Sequence, residues 1–244
     1  MKKSVFTFLS ILWLGGSLLA QDAFEAQSRV YKAALKNYDL QAATIALYNM
    51  AALKPERADL QDSLALLYFA GERYPQAYLI GEEILKGNPK RNDMLELVAV
   101  SKQNLGLIKE ALADYEKLYA IDKSVYYLYQ ISTLQYQLKR YGECVASLDQ
   151  IIANPESDKQ KVNIRVQNGS QDIPMKAAAL NVKGICAVEL SQDAAAIDNF
   201  NKALAISPDF VLAKGNLESL TKKQDKTAAP KSPSTSVKST TAPK

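Results

Sequence analysis

Apolar and polar positions along this chain fall into paired helical stretches. Between residues 92 and 125, Leu95, Val98, Ala99 and Leu105 keep the spacing of one helix face. Leu105-Gly106 then offers a turn, and Ala111, Leu112, Tyr115 and Leu118 take up helical spacing again. Two amphipathic helices joined by a tight turn are predicted. The pattern recurs along the chain. Ala43, Ala77, Ala111, Cys144 and Ala196 follow one another at intervals of 34, 34, 33 and 52. Tyr31, Ala65, Ala99, Ser132 and Gly184 repeat the same four intervals. The last interval is one period plus an insertion of about 18 residues.

Small residues at these positions let two helices approach closely, where a bulky side chain would force the axes beyond the usual ~8–10 Å. Tyr115, Leu148 and Phe200 are placed to fill the space beside them. Prolines mark the unit ends. Pro55 and Pro89 are one full period apart, and Pro208 closes the last unit; each stops a helix and starts a turn.

On these residues the body resembles the tetratricopeptide-repeat (TPR) family. The fifth unit, 177–210, carries Leu180, Gly184, Ala187, Ala196, Phe200, Ala203-Leu204 and Pro208 at the family's marked positions. The second (58–91), third (92–125) and fourth (125–157) follow, with Lys123 in place of the usual proline and Cys144 at a small position. The first unit (24–57) places Tyr31 where the family has Gly or Ala. The resemblance implies an all-α fold: a right-handed superhelical TPR solenoid of about five helix-turn-helix repeats over 21–221, closed by a capping helix at 209–221. Phe210, Ala213, Leu217 and Leu220 give that cap an apolar face.

Residues 156–176 break the rhythm. Val162, Ile164 and Val166 alternate with Asn163, Arg165 and Gln167, a strand period. Asn168-Gly169 offers a tight turn, and Pro174 precedes the next helix. A short extended excursion or partial hairpin is expected, with an exposed edge that could face a partner chain. Asn168-Gly169-Ser170 also matches a glycosylation sequon, which we read as turn chemistry.

The two ends differ from the body. Lys2 and Lys3 precede an apolar core, Val5 to Leu14, then Gly15-Gly16, small residues, Ala20 and polar Gln21-Asp22. This is the layout of a secretory signal peptide over 1–20, with cleavage expected after Ala20. The apolar run is shorter than the roughly 20 residues of a spanning helix, and no cysteine lies near the cut to carry a lipid. The short lysine start points to bacterial export, hence a periplasmic or secreted protein. Residues 222–244 carry six lysines against one aspartate, so +5; the first twenty carry +2; with a net charge of +4 the rest is 4 − 5 − 2 = −3. The tail lacks large apolar residues except Val237 and is expected to be disordered, able to contact an anionic membrane or cell wall.

Composition removes whole classes of chemistry. Histidine is absent, which excludes histidine-based nucleophilic and acid/base catalysis and imidazole zinc sites. Phosphate-loop, dinucleotide and nucleophile-elbow motifs are missing. Carboxylate pairs such as Glu82-Glu83, Asp59 with Asp62, and Asp93 with Glu96 sit at helical spacing and read as solvated faces. No catalytic residue, metal or cofactor is assigned, and the modest charge gives no case for nucleic acid. For the two cysteines, Cys144 and Cys186, a disulfide and a pair of buried free thiols both stay open, because the insertion leaves their separation undefined.

The TPR resemblance implies that the first helix of each unit lines an inner face. Here that gives Asp59, Asp62, Leu66 and Phe69; Asp93, Glu96, Val100 and Gln103; Tyr126, Tyr129, Thr133 and Tyr136; and Asn181, Ile185 and Val188. One wall is acidic and the next is rich in tyrosine. The expected role is a non-enzymatic interaction scaffold or adaptor of the bacterial cell envelope. Its partner would be a protein or peptide segment bearing Lys/Arg and an apolar anchor. The alternative is a carbohydrate- or peptidoglycan-binding accessory factor, whose tyrosines would stack sugars.

Overall fold

Left-handed elbows punctuate the chain at the interval of its small residues. Tyr38, Glu72, Gly106, Lys139 and Ser191 all have φ between 56° and 77°, at successive intervals of 34, 34, 33 and 52. Each ends one helix and precedes the next. The computed structural model describes residues 21–228, with side chains to Lys223. The expected signal segment, 1–20, and most of the expected tail lie outside them.

The chain divides into two units, up to Arg140 and from Tyr141. The first holds α1 (21–36), α2 (Leu40–Leu53), α3 (Ala58–Ala70), α4 (Tyr74–Gly87), α5 (Asn92–Asn104), α6 (Ile108–Asp122) and α7 (Val125–Gln137). From α2 to α7 each helix packs on the next. The elbows within each hairpin close by paired backbone bonds. Asp39, Arg73, Leu107 and Arg140 N–H donate to the carbonyls of Ala34, Tyr68, Lys102 and Gln135 at 2.8–2.9 Å. The left-handed residue before each donates three residues back, as Glu72 does to Phe69 at 3.0 Å. This is the Schellman arrangement, and glycine suits it best; only Gly106 obeys that preference.

Junctions between hairpins follow proline. Lys54, Asn88 and Ser207, each just before a proline, have φ of −137°, −143° and −133°. Proline disfavours helical geometry at the residue ahead of it, so the helix stops there. Lys123 solves the same problem without proline by turning left-handed, φ 56°.

The small positions are fully buried: Ala43, Ala77, Ala111, Cys144 and Ala196, and Ala65, Ala99 and Ser132. Tyr115 fills the third repeat beside Ala99, Ala111, Ile131 and Leu134. Tyr31 is partly buried against the cluster of Phe24, Leu47, Met50 and Leu64. The second repeat has Gly81 where the others carry a large residue. A Cβ there would lie 2.6 Å from Val98 Cγ2, so α5 occupies the space from outside the repeat.

One ion cluster is built into this core. Lys102 is 8% exposed and Asp114 3%. Lys102 Nζ donates to Asp114 Oδ2 at 2.6 Å and pairs with Glu82 Oε1 at 2.7 Å. Burial works against the ammonium, but the hydrogen bonds it donates to Asp114 and Glu82, with their negative charge, outweigh that and hold its pKa above the ordinary value.

The second unit holds α8 (Tyr141–Ala153), α9 (Glu156–Lys159), β1 (Lys161–Val166), β2 (Gly169–Pro174), α10 (Met175–Glu189), α11 (Asp193–Ile206) and α12 (Val211–Ala228). The insertion is a one-turn helix and a complete antiparallel hairpin. Val166 pairs with Gly169, so the turn is Gln167-Asn168 rather than the expected Asn168-Gly169. Gly169, φ 134°, opens the second strand. Val162 and Ile173 face inward. Gln171 ties the hairpin to α12, donating to Asp209 O at 2.8 Å and accepting from Val211 N–H at 3.0 Å.

Gly184 lies under Phe200, whose Cδ1 would be 2.7 Å from a Cβ at 184. Burying that ring contributes about 3 kcal/mol. Phe200, Ala187 and Ala196 form a core with Leu217 and Leu220 of α12. The cap is longer than expected: it runs through Thr221 to Ala228, into the 222–244 segment read as disordered. Residues 222–228 contain no glycine or proline, and Glu218 pairs with Lys222 at 3.4 Å.

Candidate functional site

The first helices of the second, third and fourth repeats, α3, α5 and α7, each bury one face and leave another to solvent. On α7, Val125, Leu128, Ile131, Ser132, Leu134 and Gln135 are buried. Tyr126, Tyr129, Thr133 and Tyr136 stay half-buried along the other side. On α5, Asp93 is exposed, and Glu96, Val100 and Gln103 are half-buried. On α3, Asp59 and Leu66 are exposed, with Leu66 at 53%, while Asp62 and Phe69 are half-buried.

The acidic residues are engaged within the protein. Arg57, just ahead of α3, donates from Nε to Asp59 Oδ1 at 2.7 Å. Arg91, just ahead of α5, donates to Asp93 at 2.9 and 2.7 Å and to Asp62 at 2.9 Å. The hydrogen bonds from Arg57 and Arg91 hold the Asp59 and Asp93 carboxyls below the ordinary carboxylate range. Glu96 accepts from the Tyr127 hydroxyl at 2.8 Å. Counting these six charged side chains, four carboxylates and two guanidinium groups leave −2, so the wall read as acidic is half neutralised.

The aromatic side is a packed set of rings. Tyr126 meets Tyr127 edge-on at 5.4 Å, and Tyr127 lies 6.2 Å from Tyr115. Burial raises the Tyr126 phenol above its ordinary pKa and pushes Tyr129 up to about 12. Both are therefore neutral near pH 7, able to donate and accept hydrogen bonds. Tyr115 donates to Gln103 at 3.2 Å. Phe69 meets Tyr74 edge-on at 5.9 Å.

The fifth repeat does not contribute as expected. Asn181 is buried and accepts from Asn216 of α12 at 2.9 Å. Ile185 and Val188 pack against the same core as Leu217 of that helix. The cap covers this stretch of the implied inner face, and the open row is confined to α3, α5 and α7.

This succession of helix hairpins matches solved proteins over most of its length. It superposes on the TPR protein YrrB, which has an unusual peptide-binding site, with a TM-score of 0.61 at 15% identity, covering 77% of this chain and 88% of that one. A tetratricopeptide repeat protein from Parabacteroides merdae gives 0.64 at 18% identity, covering 85% and 75%. MamA from Desulfovibrio magneticus gives 0.60 at 11% identity, covering 78% and 97%. The chain has the tetratricopeptide-repeat fold. No family model and no curated protein matches the sequence, so the likeness lies in the backbone rather than in side chains.

Within the TPR fold, the arginines ahead of α3 and α5 are the site residues that sequence reasoning missed. They stand one repeat period apart, each two positions before an aspartate, and that R-x-D spacing was the available signal. A cleft of about 1090 Å3 also runs beside α4, lined in part by Tyr78, Leu79, Ile84, Asp62 and Arg91. It shares only Asp62 with the expected groove residues. Among the described residues no cluster of acidic or cysteine side chains converges as a metal site, and no helix is long and apolar enough to cross a membrane. The TPR row presents aromatic area, hydroxyl groups and a residual negative charge: a surface for holding a chain segment.

Proposed function

We propose that this protein is an exported, non-enzymatic interaction scaffold of the bacterial cell envelope. It holds a partner segment, carrying an apolar anchor with Lys or Arg beside it, along α3, α5 and α7. The observation that carries the reading is the α7 row. Tyr126, Tyr129, Thr133 and Tyr136 remain accessible in a helix whose opposite face is fully packed. Tyrosine offers large contact area and a hydroxyl at small entropic cost. The residual −2 charge favours a basic segment, and Arg57 and Arg91 limit that preference. A peptide-binding protein of the same fold, YrrB, makes the mode a natural one for this backbone.

The test is capture from envelope extract by the purified chain, with bound proteins identified by mass spectrometry. Tyr129→Ala with Tyr136→Ala should abolish capture while the circular dichroism spectrum keeps its helical form. Unchanged capture refutes the groove, and pelleting with isolated wall material in place of protein capture favours the carbohydrate-binding alternative. Export is tested by fractionation and by the N-terminus of the cellular protein, expected at Gln21.

A further inference from the structure

The chain passes from one hairpin to the next by 54–57, by 88–91 and by 123–124, but between α8 and α10 it takes the far longer detour of 154–174. A short junction fixes how two hairpins meet; a long one does not. Cys144 of α8 and Cys186 of α10 both lie at this interrupted junction, and they are the only cysteines in the sequence. Their sulfurs are 3.4 Å apart and fully buried.

Packing alone does not call for sulfur here. Cys144 occupies the small position that is Ala43, Ala77, Ala111 and Ala196 in the other repeats. Subtracting the repeat intervals from Cys186 gives Leu134, Ser101, Leu67 and Ala33, none of them a thiol. We propose that Cys144 and Cys186 form a disulfide that locks α8 to α10 across the insertion.

The oxidant is a disulfide-bearing exchange partner. Each Sγ–H bond breaks and one Sγ–Sγ bond forms; two protons and two electrons pass to the oxidant, which leaves as two thiols. The sulfurs must close by about 1.4 Å to reach a bond of about 2.05 Å, within the reach of side-chain rotation and slight helix adjustment. Because both sulfurs are buried, exchange precedes the docking of α10 on α8, and the finished bridge is shielded from reductant.

The inference rests on the export reading only for the source of the oxidant. In the test, the purified chain is unfolded in urea, refolded in the presence of oxidised and reduced glutathione, then denatured and alkylated. No thiol should be labelled before reduction and two after it, with a linked peptide pair containing Cys144 and Cys186. The oxidised chain should unfold at a higher urea concentration than the reduced one. Cys144→Ala, which restores the residue of the other repeats, should fold and erase that difference. Two labelled thiols, or one label beside one glutathione adduct, overturns the bridge; a bridge that leaves the urea midpoint unmoved overturns its locking role. Alkylation at the moment of lysis addresses export separately. Two free thiols in cells, with a bridge formed in the purified chain, refutes export and leaves the bridge standing.

Discussion

The two units are made from the same helix hairpin and hold it in register by different means. Up to Arg140, turns of two to four residues join the hairpins, and the core tolerates an ion cluster around Lys102. From Tyr141, the chain leaves the helices over 154–174, between α8 and α10, and α10 must be returned to α8. There the register comes from side-chain and backbone ties: Met175 N–H to Gln160 O at 2.9 Å, Gln171 to the start of α12, and the sulfur pair. Interlocking of Gly184 with Phe200 adds to them. Where loop length no longer constrains two helices, specific contacts must.

The largest expected effect tests the first unit. Lys102→Met leaves Asp114 and Glu82 without their shared ammonium, and breaking a buried pair from one side typically costs about 3–5 kcal/mol. We expect about 3 kcal/mol, the low end of that range, because Lys117 stays on Asp114 at 2.8 Å. Urea denaturation measures it. A loss below about 1 kcal/mol, the worth of an exposed pair, would show that the cluster contributes no more than surface charges.

The matching test of the second unit is Gly184→Ala. Its new Cβ would press into the Phe200 ring, and overpacking of this kind costs about 1–3 kcal/mol. Alanine at 99, the counterpart in the third repeat, is native, so any cost at 184 belongs to the glycine-on-phenylalanine packing. The elbows then offer a smaller, favourable change. Ser191→Gly should stabilise by about 0.5–1 kcal/mol, because glycine meets no penalty at φ 58°. Gly106→Ala should cost a similar amount, and thermal melts of the pair should move in opposite directions.

The smallest effect concerns acid. Asp93 has a folded pKa below its unfolded value because of Arg91. Its contribution is therefore present above the ordinary aspartate value of about 3.9 and is lost as pH falls through the lower folded value. Asp93 is exposed, so solvent screening keeps the effect under about 1 kcal/mol. Arg91→Gln should flatten the acid side of a stability profile followed from about pH 5 down to pH 2, the range that spans aspartate titration. An unchanged profile would show that Arg91 does not set it.

Much of this architecture was legible because tight packing writes itself as a period. The intervals of Ala43, Ala77, Ala111, Cys144 and Ala196 are those of buried helix contacts, and prolines mark three of the junctions. The elbows were not legible. Four of the five elbows within hairpins carry Tyr38, Glu72, Lys139 and Ser191 instead of glycine, since the backbone bonds that close the turn outweigh the side chain's preference. The hairpin's alternation could be read, but its turn was misplaced by one residue, because register depends on pairing across strands.

At the candidate site, the face of α7 followed from helical spacing. The neutralisation of Asp62 did not, because Arg91 reaches it from 29 residues away. The covering of Asn181, Ile185 and Val188 was also hidden. A pattern shows that α12 has an apolar side, not which helix that side will occlude.

Helix α12 also covers the downstream face of the last hairpin. Leu217 and Leu220 occupy the place where a sixth hairpin would dock, so lengthening the array from its downstream end would first require evicting them. A designer wishing to add modules must therefore splice new sequence ahead of Val211, leaving the terminator to seat on whichever hairpin comes last.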